Sequence, residues 1–577
     1  MSHRVATRIG RATSLASRPW WAPIRTAAPS PCSTKGPRSE SMTGREAAST
    51  RPPGRQRPRA TISTSAPSPP TGFSAAASPV TRRSWTTHCL NWRRIDAPQS
   101  RRPKMNRTLK IHCLAFFALA LAGAAAAAAE RPPNIVLLVG DDHGYPYFGF
   151  MGDENVVTPS MDALAFGGTT FSHAHVTATY CRPSLRTLIT GLHPVQYVLR
   201  ENEIVEQRRN EDADYASLGD RERGLWDQVE KAAAMREFDT LPKLLGEVGY
   251  VSWQGGKWWE NNYRNGHFTE GMSEGWDMSA YGGDTFFEEL MGANGNDLVR
   301  ETMEPVFDFI DRNREQPFFI WFAPSLPHVP FDAPYTYRKY YQDMDISESA
   351  KLYYSNVTWW DDGVGRLLDH IESHDLMDDT LFVYISDNGW EQDADVEYKV
   401  DENATIADDL LLGNGGHLGK NGLYDMSFRS PLVFHWRGRI RHSFNTSSLV
   451  SSMDIFPTIL DLAGAEIPGG LPGNSLLPLI EGRSMPERTH LIGYTDNRRS
   501  STTPMGERAE GYSVRTHRWQ FIWYADTDEK VLYDVTVDRM AEYNLADDYP
   551  ELVAEFQELI KDWKVEVGMP EAIPIYE

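Results

Sequence analysis

The 577-residue sequence is poor in cysteine, with only Cys32, Cys89, Cys113 and Cys181. The first three precede Glu130, in segments that we expect to be missing from the mature protein. Cys181 would then be the sole cysteine of the mature chain, which excludes an internal disulfide and leaves an odd thiol. A lone cysteine is most often a small buried hydrophobe, so any chemical role for Cys181 needs support from other residues.

Residues 1–104 lack an apolar periodicity and are crowded with Ser, Pro, Ala and Arg, with 19 Lys and Arg against 3 Asp and Glu. Such a segment cannot bury enough apolar surface to fold, so we expect it to be disordered. Residues 105–129 have a basic head, a short apolar core and an alanine-rich end, which is typical of a secretory signal peptide.

A signal peptide belongs at a true N-terminus. We therefore expect translation to start at Met105, with residues 1–104 as an untranslated upstream extension and a genuine disordered tail as the alternative. The mature protein is expected to be secreted or periplasmic. After Glu130 no apolar run is long enough to span a membrane.

Basic residues are scarce after residue 104, where 39 Lys and Arg remain against 76 Asp and Glu. This acidic balance argues against binding to nucleic acid or to anionic membranes. It fits a soluble exported protein.

Short runs that are apolar on both faces recur along the chain, at residues 134–140, 318–324, 380–389 and 430–436. Between them lie helical patterns, and this alternation predicts an α/β fold with a largely parallel sheet covered by helices on both faces. We expect the catalytic domain to span residues 130–480. Residues 481–577 are expected to form a smaller C-terminal α+β subdomain with an antiparallel sheet and a helix.

Two of the predicted strands end in oxygen-bearing side chains, Asp141 and Asp142 after the first and Asp387 and Asn388 after the third. Ligands of open α/β sheets gather at the carboxyl ends of the strands. Oxygen donors alone favour a hard cation, Ca²⁺ or alternatively Mg²⁺. Solvated turns or helix caps are the alternative for each pair taken separately.

Four further residues lie in places suited to chemistry. Cys181 precedes a helical pattern whose first turn contains Pro183, and a helix N-terminus favours anions. Lys257 and Lys420 lie in glycine-containing segments, and His328 follows a predicted strand. Each alone is ordinary, because most lysines are surface charges and most lone histidines are satisfied polar residues.

Taken in order, these segments resemble the sulfatase family of the alkaline-phosphatase-like superfamily. The matching pieces are NIVLLVGDDHGY, TPSMDALAFGGTTFSHAHV, CRPSLRTLITG, GGKWW, PHVP, SDNG and HLGKNGLYD. The family signature is a cysteine, any residue, Pro, Ser, Arg, three residues, Leu, Thr and Gly. It is matched by Cys181, Pro183, Ser184, Thr190 and Gly191.

The resemblance implies a chemistry for the cysteine. In the family it is oxidised to formylglycine by a formylglycine-generating or radical maturation enzyme, and the hydrated aldehyde is the nucleophile. One hydroxyl attacks sulfur and the other allows sulfate to leave, which a plain thiol or serine cannot do without a separate hydrolysis step. Cys181 is the corresponding residue here.

The resemblance also implies the other site residues. Asp141, Asp142, Asp387, Asn388 and the group derived from Cys181 match the Ca²⁺ ligands. Lys257 and Lys420 match the sulfate-binding lysines, and His328 matches the histidine that faces the leaving oxygen.

Two positions depart from the family pattern. Leu185 stands where the signature has arginine, and Arg186 is displaced by one residue, which turns its side chain by about 100° on a helix. Trp259 stands where the family usually has histidine, for which His267 is a candidate substitute. These departures put recognition by the maturation enzyme and handling of the diol protons in question.

The leading hypothesis is therefore an exported Ca²⁺-dependent sulfuric ester hydrolase acting on a carbohydrate or aryl sulfate. The alternatives are a phosphodiester or phosphonate monoester hydrolase of the same superfamily, and a catalytically inactive protein that binds sulfated glycans. Trp258, Trp259 and Trp390 could stack on sugar rings or pack in the core.

Overall fold

The computed structural model describes residues 131–280, 286–391, 418–496 and 510–569. The expected upstream extension and signal peptide lie outside these residues. Within the described part of the chain, none of the helices combines the length and the apolarity that spanning a bilayer would require.

The main sheet has nine strands, in the order β4-β3-β5-β1-β6-β7-β2-β8, with β9 paired to β2. Their bounds are β1 Asn134–Gly140, β2 Thr169–His175, β3 Val251–Gly256, β4 Glu270–Gly271, β5 Phe318–Ala323, β6 Thr380–Ser386, β7 Arg429–Trp436, β8 Ser443–Asn445 and β9 Val450–Ser451. Pairing is parallel except where β7 runs antiparallel to both β6 and β2.

The helices that cover the sheet and its loops are α1 Pro159–Gly167, α2 Cys181–Thr190, α3 Pro194–Glu211, α4 Asp220–Ala234, α5 Leu241–Glu247, α6 Phe286–Met291, α7 Glu304–Asn313, α8 Tyr335–Arg338, α9 Glu348–Ser373, α10 Asp425–Phe428, α11 Ile455–Ala463, α12 Leu477–Ile480 and α13 Pro550–Glu566. Short 3₁₀ segments occur between them, for example at Tyr263–Gly266 and Ser452–Asp454.

The central strand β1 is buried on both faces because helices cover each side. Ile135 and Leu137 pack in one core with residues of α2, α3, α5 and α11. Val136 and Leu138 point the other way, into a second core with residues of α1, α7 and α9. Side chains alternate along a strand, so a strand between two cores must be apolar throughout, as NIVLLVG is.

A second sheet of four antiparallel strands follows, in the order β10-β11-β12-β13. Its strands are β10 Leu491–Asp496, β11 Glu510–Arg515, β12 Trp519–Tyr524 and β13 Glu529–Asp534. Helix α13 packs against it through Val553, Phe556 and Ile560, which join the first core. The predicted fold class is confirmed: a largely parallel, helix-covered sheet with a smaller antiparallel sheet and helix at the C-terminus.

Candidate active site

Strands β1, β3, β5 and β6 are neighbours and run parallel, so their carboxyl ends meet at one edge of the sheet. The predicted site residues are brought together there: Asp141 and Asp142 follow β1, Lys257 follows β3, His328 follows β5, and Asp387 and Asn388 follow β6. Helix α2 presents its first residue, Cys181, to the same edge, and Lys420 reaches it from the loop before α10.

The carboxylates and the amide hold one another in place. The backbone N–H of Asp142 donates to Asp387 Oδ1 at 3.0 Å, and Asn388 Nδ2 donates to Asp142 Oδ1 at 2.6 Å. Asp142 adopts a left-handed backbone conformation, φ 62°, which Asp tolerates better than most residues. Tyr353 supports this turn from α9, since its hydroxyl donates to the Asp142 carbonyl at 2.8 Å.

Three buried oxygens of this group, Asp141 Oδ2, Asp387 Oδ2 and Asn388 Oδ1, have no hydrogen-bond partner among the described residues. Leaving buried polar atoms unpartnered is costly, and several carboxylates at one point repel one another. A cation with oxygen ligands would satisfy all three atoms. The donor set therefore fits a hard divalent ion and makes these residues candidate metal ligands.

Cys181 is the first residue of α2, and its side chain is directed at the carboxylates. Its Sγ atom lies 3.8 Å from Asp141 Oδ1 and 3.9 Å from Asp142 Oδ1. Burial raises the pKa of the thiol well above its ordinary value, so the encoded side chain is a neutral and weakly nucleophilic thiol. The helix ends at Thr190, and the next residue, Gly191, has a φ of 73°, which favours glycine.

The two lysines are buried against the carboxylates. Lys257 Nζ pairs with Asp141, and Lys420 Nζ lies 2.7 Å from Asp142 Oδ2. Burial favours the neutral amines, but the neighbouring carboxylates outweigh it and raise the pKa of both lysines above the ordinary value. Two fixed positive charges therefore face the centre of the site, where an anion could bind.

His328 is held so that one ring nitrogen faces the site. Its Nδ1 atom is 2.6 Å from the Val329 carbonyl, which assigns the Nδ1 proton to that contact. Its Nε2 atom lies 3.7 Å from both Asp142 Oδ2 and Glu391 Oε2. Burial lowers the pKa of His328 to about 4.

Sequence reasoning missed several residues that complete the site. Glu391 lies 3.5 Å from Lys420, and Asn356 donates to the Pro330 carbonyl at 3.1 Å in the His328 loop. Arg300 donates to the carbonyl groups of Ser325 and His328 in the same loop. Glu391 follows the predicted Asp387–Asn388 pair closely and could have been considered, but Asn356 and Arg300 carry no local signal.

Comparison with known protein families decides the identity of this arrangement. The family model described as Sulfatase matches residues 133–465, more than half of the chain. The chain belongs to the sulfatase family. A second model, N-sulphoglucosamine sulphohydrolase, C-terminal, matches residues 413–566. The predictions of the family and of a sulfatase enzyme are both confirmed.

Individual relatives agree with this assignment. The chain is 27% identical over 433 residues to the N-acetylgalactosamine-6-sulfatase of Canis lupus familiaris, covering 70% of this chain and 76% of that protein. The crystal structure of Ps i-CgsB shares the fold, with a TM-score of 0.57, 23% identity, and coverage of 76% of this chain and 94% of that one.

A second similar structure is of a protein in complex with its substrate, D-glucosamine-2-N,6-O-disulfate. It has a TM-score of 0.52 and 18% identity, and the match covers 78% of this chain and 100% of that one. At this level of identity the likeness concerns the fold.

Arg186, the arginine that lies one position after the signature position, has a different environment from that of residue 185. Arg186 points into a buried ion-pair network, with Nη2 2.6 Å from Glu201 and Nε 2.8 Å from Glu260. Glu260 also accepts two hydrogen bonds from Arg182, the neighbour of Cys181. The network therefore ties the first turn of α2 to the loop that carries Lys257, and Arg186 does not occupy the signature position.

We expect Arg186→Met to destabilise the fold by about 3–5 kcal/mol, because it strips a buried charge of its partner. Among the described residues Arg186 is the ion-pair partner of Glu201, so the variant leaves the Glu201 carboxylate unpaired. Arg200→Met is the matched control: Arg200 is the exposed residue before Glu201 on α3, so its loss should cost far less. Urea unfolding of both variants measures the difference, and equal midpoints would contradict the prediction.

The same network has an expected pH signature. Burial would raise the pKa of Glu260, but Arg182 and Arg186 outweigh it and hold the pKa at about 2, below the ordinary 4.5. A carboxyl with a lowered folded-state pKa stabilises the fold above pH 4.5 and loses that contribution as the pH falls towards 2. Acid unfolding should accordingly be shallower in Arg186→Met over this range.

The structure places His267 away from the candidate site. Its Nδ1 atom contacts Thr240 Oγ1 at 3.0 Å, at the start of α5. It precedes β4, which pairs in parallel with β3, so it lies towards the amino end of β3, while Lys257 follows the carboxyl end. The suggestion that His267 replaces the family histidine is therefore wrong. Trp259, at that histidine position, lies with its ring 5.9 Å from Lys257 Nζ.

The three tryptophans considered for sugar stacking divide into two groups. Trp258 and Trp390 are 2% and 1% exposed, and both pack in apolar cores, so neither ring is open to a sugar. The core alternative is correct for these two. Trp259 is half-buried and remains a candidate for contact with substrate.

Proposed function

We propose that this sulfatase is an exported, Ca²⁺-dependent sulfuric ester hydrolase that uses a formylglycine derived from Cys181. The observation that carries the proposal is the convergence, at one sheet edge, of Cys181, four oxygen ligands, two buried lysines and His328. Each group has a distinct task in removing sulfate from an ester.

Asp141, Asp142, Asp387, Asn388 and the side chain derived from Cys181 are the residues that would hold Ca²⁺, with Mg²⁺ as the alternative ion. The unpartnered buried oxygens of Asp141, Asp387 and Asn388 support this assignment. When bound, such an ion neutralises developing negative charge and favours deprotonation of a nearby hydroxyl.

Lys257 and Lys420 would bind the sulfate oxygens. Each ammonium has three N–H donors, so it can keep its carboxylate partner and still donate to a substrate oxygen. Both lysine side chains are buried and held in place by Asp141 and Asp142. Sulfate binding would therefore carry no entropic cost of ordering a flexible lysine side chain.

His328 would donate a proton to the leaving ester oxygen. Its Nδ1 contact with the Val329 carbonyl directs Nε2 into the site, beside Asp142 and Glu391. The neutral ring carries its proton on Nδ1, and burial holds its pKa at about 4, so acid catalysis requires Nε2 to gain a proton when substrate binds. The carboxylates of Asp141 and Asp142 favour the protonated ring electrostatically, whereas Lys257 and Lys420 disfavour it.

Formylglycine, when formed from Cys181, supplies two hydroxyls on one carbon as its hydrate, one to attack sulfur and one to release sulfate. The partner would be a formylglycine-generating or radical maturation enzyme able to accept Leu185. Export follows from the expected signal peptide at residues 105–129, so we place the mature protein in the periplasm or outside the cell.

The proposed substrate is a sulfated carbohydrate or a smaller aryl sulfate. In support, one relative is an N-acetylgalactosamine-6-sulfatase, and one structure of the same fold contains a sulfated glucosamine as its substrate. The half-buried Trp259 ring beside Lys257 could contact such a sugar.

An assay with matched aryl esters tests the reaction class. We expect kcat/KM for an aryl sulfate to exceed that for the aryl phosphate by at least about a hundredfold, because the phosphate carries a second negative charge near the Asp142 carboxylate. A phosphonate monoester has the single charge of the sulfate and is the more stringent comparison. Faster turnover of the phosphonate would favour the phosphonate hydrolase alternative.

The inactive alternative is tested in parallel. Protein from a host that converts Cys181, shown by mass spectrometry of the Cys181 peptide, should release sulfate from sulfated oligosaccharides. Binding of those oligosaccharides without release, in fully converted protein, would support a glycan-binding role and contradict the proposed reaction.

A further inference from the structure

A second group of metal-ligating side chains lies outside the candidate active site. His370 lies in the last turn of α9, His374 is the residue that directly follows this helix, and Asp311 lies near the end of α7. His370 Nε2 is 2.9 Å and His374 Nε2 is 2.8 Å from the same atom, Asp311 Oδ1. The ligand atoms of the three residues all lie within 4.8 Å of one another.

We propose that Asp311, His370 and His374 form a binding site for a divalent transition-metal ion, with Zn²⁺ as the representative ion. His374 follows His370 by four residues, close to one helical turn, and both Nε2 atoms reach the same Asp311 oxygen, so both can reach one ion. Two imidazoles and one carboxylate are a donor set that suits Zn²⁺ or Cu²⁺ better than Ca²⁺. The partial exposure of all three side chains leaves room for a water ligand.

The proposed site is separate from the carboxylates at the sheet edge. Tyr353 contacts the active-site turn from an early turn of α9, and His370 lies roughly 25 Å farther along the same helix. The two sites share no ligand, so their occupancy can be tested independently.

The geometry needs little rearrangement to accept an ion. Both Nε2 atoms already converge on one point, and the His370 ring is stacked on Phe307 with 4.2 Å between centroids, which limits its rotation. The two imidazoles are in edge contact at 4.9 Å. Metal–nitrogen distances of about 2.0–2.1 Å require Asp311 to withdraw modestly from the shared point, which its exposed side chain permits.

The local electrostatics favour a cation. His370 lies in the last turn of a 26-residue helix, where the unpaired carbonyl groups carry partial negative charge. The Asp311 carboxylate adds a full negative charge, and its side chain is half exposed. One group opposes binding: Arg314 Nη1 lies 3.5 Å from His374 Nδ1.

The proton positions make Arg314 informative. Without an ion, His370 Nε2–H donates to Asp311 and His374 Nε2 lies 2.8 Å from the same oxygen, whereas an ion needs the lone pair of each Nε2 and leaves the ring proton on Nδ1. The His374 Nδ1–H would then face a guanidinium N–H. Arg314 must therefore turn aside on metal binding, and Arg314→Gln should tighten it.

The test is a Zn²⁺ titration by calorimetry of the mature protein saturated with Ca²⁺, which blocks the carboxylate site. We expect one Zn²⁺ per chain, weakened about tenfold or more in His370→Gln and in His374→Gln, as is typical for perturbed metal sites. His442→Gln, which changes an exposed histidine outside the cluster, should bind as the parent does. Co²⁺ in place of Zn²⁺ should give the absorption bands of a low-coordinate site, lost in both variants.

Aryl sulfate turnover should be unchanged in His370→Gln and His374→Gln, which separates this inference from the proposed function. Zn²⁺ affinity that is absent in the parent, or that is unaffected in both variants, would overturn the proposal. The three side chains would then form only a hydrogen-bonded link between α7 and α9, and the variants would lower the unfolding midpoint equally with and without Zn²⁺.

Discussion

Cys181→Ala is expected to abolish sulfate ester hydrolysis, with kcat lower by about 10⁴-fold or more, in a protein that folds normally. The substitution removes one sulfur atom from the N-terminal residue of α2, at a position that must open to substrate. No other cysteine is present among the described residues to supply a substitute nucleophile. Turnover of an aryl sulfate and thermal unfolding, measured on the same preparation, give the two readouts.

Cys181→Ser refines the same prediction. Serine retains an attacking oxygen beside Asp141 and Asp142, but it lacks the second hydroxyl that would release sulfate. We expect at most a single turnover, visible as a stoichiometric burst followed by arrest. Steady turnover by either variant would contradict a role for the residue derived from Cys181.

A matched control lies on the same helix. Ile189 is fully buried in the core beneath α2, and Ile189→Val removes one methylene from it. This change should cost about 0.5–1.5 kcal/mol of stability and leave kcat unchanged. Loss of activity in Ile189→Val would mean that activity tracks the stability of α2 and not the chemistry of Cys181.

The central fold was predictable because its signals are local and repeated. NIVLLVG and TLFVYIS are apolar at every position, and only strands covered on both faces need that pattern. The helices over residues 159–167 and 550–566 likewise follow from their own spacing. Strand β2 escaped recognition because TTFSHAH is rich in polar residues and is recognisable only through its pairing with β7.

The core of the site was predictable for a topological reason. Asp141, Asp387 and His328 each follow a strand of one parallel set, and the carboxyl ends of such strands must meet. The residues that hold these groups were not predictable. Tyr353 and Asn356 lie on α9, whose sequence gives no indication of which turn faces the His328 loop. Their contacts depend on how the helix docks.

Buried charges show a second limit of sequence reasoning. Arg186 and Glu260 are separated by 74 positions and form a buried ion pair, and Arg182 donates to the same glutamate. Nothing in the sequence distinguishes these residues from surface charges. Their burial explains how α2 can be anchored without the signature arginine at position 185, because Glu260 links its first turn to the segment that carries Lys257.

Asp387→Asn is expected to lower kcat/KM by about 10³-fold or more and to weaken Ca²⁺ binding at least about tenfold. Asparagine keeps the shape of the side chain and the oxygen that accepts the Asp142 N–H bond, 3.0 Å long. It removes one negative charge and the second carboxylate oxygen, Oδ2, which has no partner among the described residues. The change therefore tests the charge of the ligand set with little disturbance of the turn.

The effect on stability should reverse with Ca²⁺, which distinguishes a metal ligand from a structural carboxylate. In chelator, Asp387→Asn should unfold at the same or a higher temperature than the parent, because burial disfavours the Asp387 charge and raises its pKa. With Ca²⁺, the parent should gain stability by linkage and the variant should gain much less.

Asp361→Asn is the control, since that buried carboxylate accepts the backbone N–H groups of Ser160 and Met161, each at 2.9 Å. It should lose about 1–3 kcal/mol in both conditions and keep the full response to Ca²⁺. A parent protein whose unfolding temperature and activity ignore both Ca²⁺ and chelator would contradict the metal assignment.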